Sequence, residues 1–455
     1  MSEQPAPVTR RLAEFVAGFS PATAPPAVIR QAKRCLLDWL GVGLAGSREP
    51  AAVIARESAA QLGPSPDAWV LGSARRVGAP FAALANGIAA HVLDYDDTYN
   101  PGLTTVHGSA PVWPAVMAAA ELTPTDGKTA LAAFVAGFET EIRVALAAGP
   151  GHYDVGWHVT GTVGHLGAAA AASRVLGLDA DRVAAALGTG ATQAAGMKAV
   201  YGSMGKSLHP GKAAMDGLLS AVLCQKGFTS SEIAIEGHRG FLHLFSPESD
   251  PRRAVDGLGE VWALPEDGFK AYPCGSLTHP CVDAALALRR EHNLRAEDVA
   301  AVDVGVHDYV ITTTGLKHPA TGLQGKFSIN HCVAVALFDG HVRLAQFTDD
   351  RVGDPAIHEM RERIRVQHDP AQAKDSASMR VTLTDGTELV RHTRHNKGTP
   401  GNPMSDEEIE AKFLDLAGTV LEPKQAQRLA ELCWSLEDVA DVTSLMALGS
   451  TGDAP

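Results

Sequence analysis

Residues 91–107, HVLDYDDTYNPGLTTVH, place three carboxylates within four positions (Asp94, Asp96 and Asp97), then Thr98, a Gly/Pro loop and His107. They follow an Ala-rich apolar segment, FAALANGIAA, so dense polar chemistry stands at the end of a helix that reads as buried. Aspartate accepts orphan backbone N–H groups at helix starts, so capping explains any one of the three; capping does not need all of them. Asp94 is the candidate site carboxylate, placed to orient a His or a Lys. Thr98 reads as a second cap or as a hydroxyl donor to substrate.

Three further segments put ionisable side chains beside Gly, Pro or Thr: GHYDVGWHVTGTVGH (151–165), MKAVYGSMGKSLHPGK (197–212) and FKAYPCGSLTHP (269–280). Each lies at a helix boundary or in a loop, where a rigid scaffold usually displays functional groups. They supply Lys198, Lys206, Lys212 and Lys270, with His152, His158, His165, His209 and His279. A chain of net charge −13 thus pools cations in a few loops. If the loops meet, they form a cationic pocket suited to a small carboxylate, and histidine can also move protons near neutral pH. His107 and His158, in Gly/Thr-rich loops, are the candidate proton carriers. His91, on the apolar helix, reads as structural. Lys206 precedes an expected helix start. A solvated lysine is the plain reading; a lysine opposing the helix dipole is better placed if an anion binds there.

These loops need elements to hold them. The 455 residues, 45% of them hydrophobic, suggest two or three domains. Residues 1–265 read as helix after helix, without strand-like alternation, and the abundance of Ala and Gly favours close helix packing. PPAVIRQAKRCLLDWLGVGLAG opens with Pro in a first turn. Leu131, Phe134, Val135, Phe138, Ile142 and Leu146 form one helical stripe. HLGAAAAASRVLGLDADRVAAALGTGATQAAG reads as two helices broken at Gly177-Leu178-Asp179. Residues 266–400 read as a smaller α+β domain. There VAAVDVGVHDYVITTT is expected as strand, DPAIHEMRERIRVQ as helix, and SASMRVTLTDGTELVRHTRH as a hairpin turning at Asp385-Gly386. Ser405 with Glu408 makes a capping box that opens helices across 401–455, which rejoin or flank the first domain. The tail GSTGDAP is expected to fray. The fold class is mainly α: a large all-helical domain with a smaller α+β lid domain.

Several function classes are disfavoured. The acidic balance, without a basic tract, argues against nucleic acid and against an anionic membrane surface. No apolar run approaches a membrane span, and the first residues lack a secretory apolar core. Six scattered cysteines without CxxC read as reduced thiols, which suits a cytoplasmic protein. HExxH, EF-hand, P-loop and GxSxG patterns are absent, and GTGATQAAG lacks the strand that a dinucleotide fingerprint needs. A metalloenzyme and a non-catalytic metabolite-binding helical dimer remain as alternatives.

Taken together and in order, AHVLDYDDT…HGSAPVWPAVMAAAE, GWHVTGTVGHLGAAAAASRVLGL, GKSLHPGKAAMDGLLSAVLCQKGFT and FKAYPCGSLTHPCVDAALAL resemble the MmgE/PrpD family. The resemblance implies a helical domain plus a lid, a homodimer, and neither metal nor organic cofactor. It implies dehydration, decarboxylation or epimerisation of small di- or tricarboxylates, by proton transfer at the carbon α to a carboxylate. Residue by residue, it carries catalytic roles onto His107, His158, Lys206 and Asp94, and substrate-binding roles onto Thr98, Lys270, His279 and His209. The expected function is therefore a cofactor-independent lyase, with an iminodisuccinate-like epimerase as the alternative. Gly275 stands where decarboxylases of the family carry a second His, His107-Gly108-Ser109-Ala110 lacks the dehydratases' HPSDN-like run, and the loop from Tyr99 to Val106 is longer than in the decarboxylases.

Overall fold

The computed structural model describes residues 7–450. The chain divides into two compact units. One runs to Gly268 and resumes at Ser405; the other is Phe269–Met404. The tail expected to fray lies mostly outside the described residues.

The first unit is built on long helices, among them Pro26–Gly46, Ala79–His91, Ser109–Ala120, Gly127–Ala148, Val159–Val175 and Gly205–Gln225. The sequence signals act as their chemistry requires. Pro26 opens its helix, Asp126 caps helix Gly127–Ala148 by accepting from the Thr129 N–H, and the break at 176–179 ends one helix before Asp179 caps another. Ser405 and Glu408 form the reciprocal capping box of helix Asp406–Ala417, which belongs to this unit.

Small residues let these helices touch at the backbone. A Cβ on Gly87 would lie 2.7 Å from the Gly211 Cα, and one on Gly217 would lie 2.4 Å from the Ala168 Cβ. Helix 205–225 therefore packs directly on helices 79–91 and 159–175, with no side chain to spare at the crossings. Those three helices carry His91, His158 and Lys206 at or beside their ends.

Two findings correct the expected all-helical reading. Strand β1 (Pro64–Trp69) pairs antiparallel with β2 (Arg76–Val77). Strand β3 (Thr98–Tyr99) pairs antiparallel with β4 (Asp267–Gly268), Tyr99 opposite Asp267. Three of these four strands are two residues long, too short for alternation to show. Helix 205–225 also begins earlier than expected, so Lys206 lies inside its first turn and Pro210 inside its body.

The second unit holds a four-stranded sheet in the order β6-β5-β7-β8: β5 Val299–Val306, β6 Ile364–His368, β7 Ala377–Leu383 and β8 Glu388–Thr393. β5 is parallel to β6 and antiparallel to β7, and β7–β8 is the expected hairpin, with Gly386 at φ 87°. Val302, Val304, Met379 and Val381 share one buried core with Ala284, Leu288, Cys332 and Val333 from helices His279–His292 and Ile329–Asp339. Here too the boundaries shift. The second half of VAAVDVGVHDYVITTT is helix, Asp308–Thr314, because His307 caps it through the Tyr309 N–H. The end of DPAIHEMRERIRVQ is strand β6, because residues 364–368 pair with β5. All six cysteines are buried free thiols. No described helix is long and apolar enough to cross a membrane.

Candidate active site

Helix 79–91 ends at His91, and the chain then turns sharply. Asp94 adopts φ 53°, the left-handed region that costs most side chains energy but that Asp tolerates. Its N–H closes the turn on the His91 carbonyl at 3.0 Å. The three aspartates diverge after this turn, and none of them caps a helix.

Asp94 Oδ1 meets Lys206 Nζ at 2.7 Å, so the cation in the first turn of helix 205–225 is matched by a carboxylate from another segment. Lys206 also lies 5.6 Å from the centre of the Tyr201 ring. Asp96 turns inward, fully buried, and its Oδ2 lies 2.8 Å from His91 Nδ1 and 3.1 Å from His107 Nδ1. Burial alone would raise the Asp96 pKa. Electrostatic attraction to His107, then to His91, and the hydrogen bonds both rings make overcome that and hold it well below the usual carboxylate range.

His107 is placed from several sides. Tyr99 and Val106 exchange N–H···O bonds at 2.8 and 3.0 Å, closing the loop that precedes it. Its N–H donates to the buried Thr160 Oγ1 at 3.0 Å, and the Thr98 hydroxyl lies 3.2 Å from its Nδ1. His158 begins helix 159–175, where its backbone N–H donates to the Gly196 carbonyl at 2.9 Å. Its Nδ1 lies 2.8 Å from His209 Nδ1, a contact that requires one ring to donate and the other to accept. Burial, then the neighbouring His91, Lys206, His107 and His209, pushes the His158 pKa well below its ordinary value, so the ring is neutral near pH 7.

The rings form a continuous cluster. His91 meets His107 edge-on, with centroids 4.6 Å apart, and lies nearly parallel to His158 at 5.7 Å. His158 meets Tyr201 edge-on at 5.3 Å. His91 is thus no solitary core histidine. The apolar helix pattern hid it, and the only available signal was its position five residues before Asp96.

The first unit therefore unites Asp94, Thr98, His107, His158, Lys206 and His209. Other members of the cationic pool do separate work. Lys212 and His165 both pair with Asp216, while His152 bridges the Phe245 carbonyl and the Thr162 hydroxyl. Lys198 lies over the Tyr153 ring and donates to the Tyr153 carbonyl. Lys270 and His279 belong to the second unit. Both are buried; His279 opens helix 279–292, with its Nε2 3.2 Å from the Cys274 carbonyl and its ring edge-on to Tyr272.

Metal-type groupings are present: ligand atoms of His91, Asp96 and His107 lie within 4.8 Å of one another, as do those of Cys35, Asp97 and Asp267 and of the exposed His318, His358 and Glu362. In the first group, both imidazole Nδ1 atoms already point at one carboxylate oxygen. That is the arrangement of an orienting hydrogen-bond network.

The family model of the MmgE/PrpD N-terminal domain matches residues 10–254, and that of the MmgE/PrpD C-terminal domain matches residues 272–438. The chain belongs to the MmgE/PrpD family. It is 29% identical to a cis-aconitate decarboxylase-like protein (oryM) of Aspergillus oryzae over 97% of each chain. It is 28% identical to a cis-aconitate decarboxylase of Aspergillus terreus, over 97% of this chain and 95% of the relative. A 2-methylcitrate dehydratase of Cupriavidus necator is 30% identical over 26% of this chain and 27% of its own. These are names of lyases, and the epimerase alternative finds no support among them.

Proposed function

We propose that this MmgE/PrpD protein is a cofactor-independent lyase acting on a small tricarboxylate, with His107, His158 and Lys206 carrying the chemistry. The observation that supports this most is the convergence, in one unit, of His107 and His158, both packed against the His91 ring, with one ammonium and two carboxylates. Membership of an enzyme family displaces the non-catalytic dimer as a reading.

Proton loss at the carbon α to a carboxylate builds negative charge on the carboxylate oxygens. Lys206, steadied by Asp94, meets that charge as a fixed cation, and losing one such donor costs about 10²–10³ in rate. His209 and the Thr98 hydroxyl are proposed to complete the substrate contacts within this unit. In decarboxylation the C–C bond breaks, its electron pair stays with the carbon framework, CO₂ departs and a histidine returns a proton to carbon. In dehydration a histidine takes the α-proton, and the β C–O bond breaks with its electron pair on oxygen, which leaves as water after protonation.

Decarboxylation of cis-aconitate is the first reaction to test, since the relatives matched over nearly their whole length carry that name. Dehydration of a 2-methylcitrate-like acid is the second, and Gly275 favours it. A Cβ there would stand 3.1 Å from Phe327 Cδ1, so the His that decarboxylases carry at this position has no room unless Phe327 shifts. A homodimer in the cytoplasm belongs to the same reading.

The test is ¹³C NMR of each acid incubated with purified protein. We expect one of them to lose CO₂ or water, and Lys206→Ala to lower kcat/KM about 10²–10³-fold. A folded protein that turns over neither acid contradicts the assignment.

A further inference from the structure

We propose that Asp96 is a positioning residue that fixes the tautomer of His107, with His91 as its second anchor, so that His107 offers Nε2 rather than Nδ1 to the proton exchanged at the reacting carbon. The inference rests on the lyase reading for its kinetic consequence. Its structural content stands on the hydrogen-bond inventory alone.

The inventory runs through three side chains. The Thr98 hydroxyl has one proton, and the Asp96 backbone carbonyl, 3.3 Å away, takes it. The Thr98 Oγ1 facing His107 Nδ1 at 3.2 Å is then an acceptor. The other atom facing His107 Nδ1 is Asp96 Oδ2 at 3.1 Å, and an ionised carboxylate only accepts. Two acceptors converge on one ring nitrogen, so that nitrogen carries the proton. In a neutral ring this leaves Nε2 bare.

His91 obeys the same logic. Its Nδ1 lies 2.8 Å from the same Asp96 Oδ2, so it donates, and its buried Nε2 has no hydrogen-bond partner among the described residues. Asp96 Oδ2 is therefore clamped by two N–H donors, while the buried Oδ1 has no hydrogen-bond partner among the described residues. This fixes the plane of the carboxylate. The His91 ring, edge-on to His107 and nearly parallel to His158, prevents either candidate from swinging inward. Burial pushes the His91 pKa down to about 4, so His91 stays a neutral buttress near pH 7 and adds no charge that would compete for Asp96. A carboxylate that holds a general base in one tautomer is a recurrent catalytic device, and exchanging such a carboxylate for its amide can cost about 10⁴ in rate.

The experiment uses the full chain with ¹⁵N-labelled histidine, the His107 ring signals being assigned by their loss in His107→Gln. In the wild type at pH 7.5 we expect His107 as the Nδ1–H tautomer. Asp96→Asn offers an amide that turns its NH₂ toward the ring, so the signal should convert to Nε2–H. In the same variant kcat should fall about 10²–10⁴-fold with KM within threefold. His91→Asn keeps a donor near the Nδ1 position, and its kcat should stay within tenfold of wild type. A wild-type His107 in the Nε2–H form overturns the proposal without any variant having to fold. A folded Asp96→Asn with wild-type kcat overturns it too. If the wild type turns over neither acid while the tautomer is as expected, the lyase reading falls and the positioning role stands.

Discussion

Asp96 and Asp97 are neighbours in sequence, both fully buried, and they live in opposite electrostatic worlds. Asp96 faces two imidazoles and stays ionised. Asp97 faces other acids. Its carboxyl hydrogen-bonds that of Asp267, its N–H donates to Asp38 Oδ2 at 3.0 Å, and its Oδ2 accepts from the Ser109 hydroxyl at 2.5 Å. Burial first, with help from Asp38 and Asp96, pushes its pKa up to about 7. Asp267, buried against Asp97 and the Cys35 thiol, is raised well above the carboxylate range. Two carboxyls can hydrogen-bond each other only if one keeps a proton, so this pair shares one. The ammonium joined to this acid group is Lys412, 2.6 Å from Asp38 Oδ1 and 2.7 Å from the Tyr95 carbonyl. The side-chain exposures differ as well: Lys206 and Asp94 keep 20% and 14%, whereas Lys412 and Asp38 keep 4% and 0%. The difference teaches where reactivity can reside. A cluster with imidazoles, an ionised carboxylate and some solvent access can exchange protons; a closed cluster that shares protons internally holds the loop in place.

The largest effect expected from breaking this contrast is on stability, from the closed side. Lys412→Met leaves the Asp38 carboxylate buried without its ion-pair partner, and unfolding free energy should drop by about 3–5 kcal/mol, read from the urea midpoint. Next comes the pH dependence, in which the two sides have opposite signs. The native protein resists protonating His91 until about pH 4, whereas the unfolded chain takes that proton near 6.5. His91 therefore costs stability as the pH falls from 6.5 to 4, by about 1–3 kcal/mol, and His91→Gln should flatten that limb of the Tm–pH curve. Asp97 acts the other way. The native state holds its proton up to about pH 7, while the unfolded chain releases it near 3.8. Its contribution is full below 3.8 and is lost as the pH rises to 7. Asp97→Asn keeps a permanent proton donor and should remove that slope. Well below pH 7, where native Asp97 holds its proton, the smallest effect is its change in stability, within about 1 kcal/mol, because an amide replaces a protonated carboxyl of the same shape.

Much of this architecture was legible in the chain. Helix starts were written at Pro26 and Ser405, the break between two helices at Gly177-Leu178-Asp179, and the β7–β8 turn at Gly386, because caps and tight turns depend on local chemistry. The gathering of His107, His158, Lys206 and Asp94 was foreshadowed by their loops. Three features were not legible. The β3–β4 pairing joins segments far apart in sequence, so no local pattern marks it. The divergence of the three aspartates at 94, 96 and 97 depends on a left-handed turn at Asp94 that Asp permits but does not announce. The part played by His91 depends on what it touches, and the other buried positions of its helix are apolar except for Asn86. Lys212 and His165, promising as charges, are absorbed by Asp216 from one turn of the same helix that carries Lys212.

The contrast between the open and closed clusters is tested most directly by one paired measurement: kcat on the turned-over acid for His107→Gln and for Asp97→Asn, each with its Tm. The account predicts a rate at least about 10²-fold lower for His107→Gln with the fold intact, and a rate within threefold of wild type for Asp97→Asn. Equal losses in the two variants, or full activity in a folded His107→Gln, would contradict it.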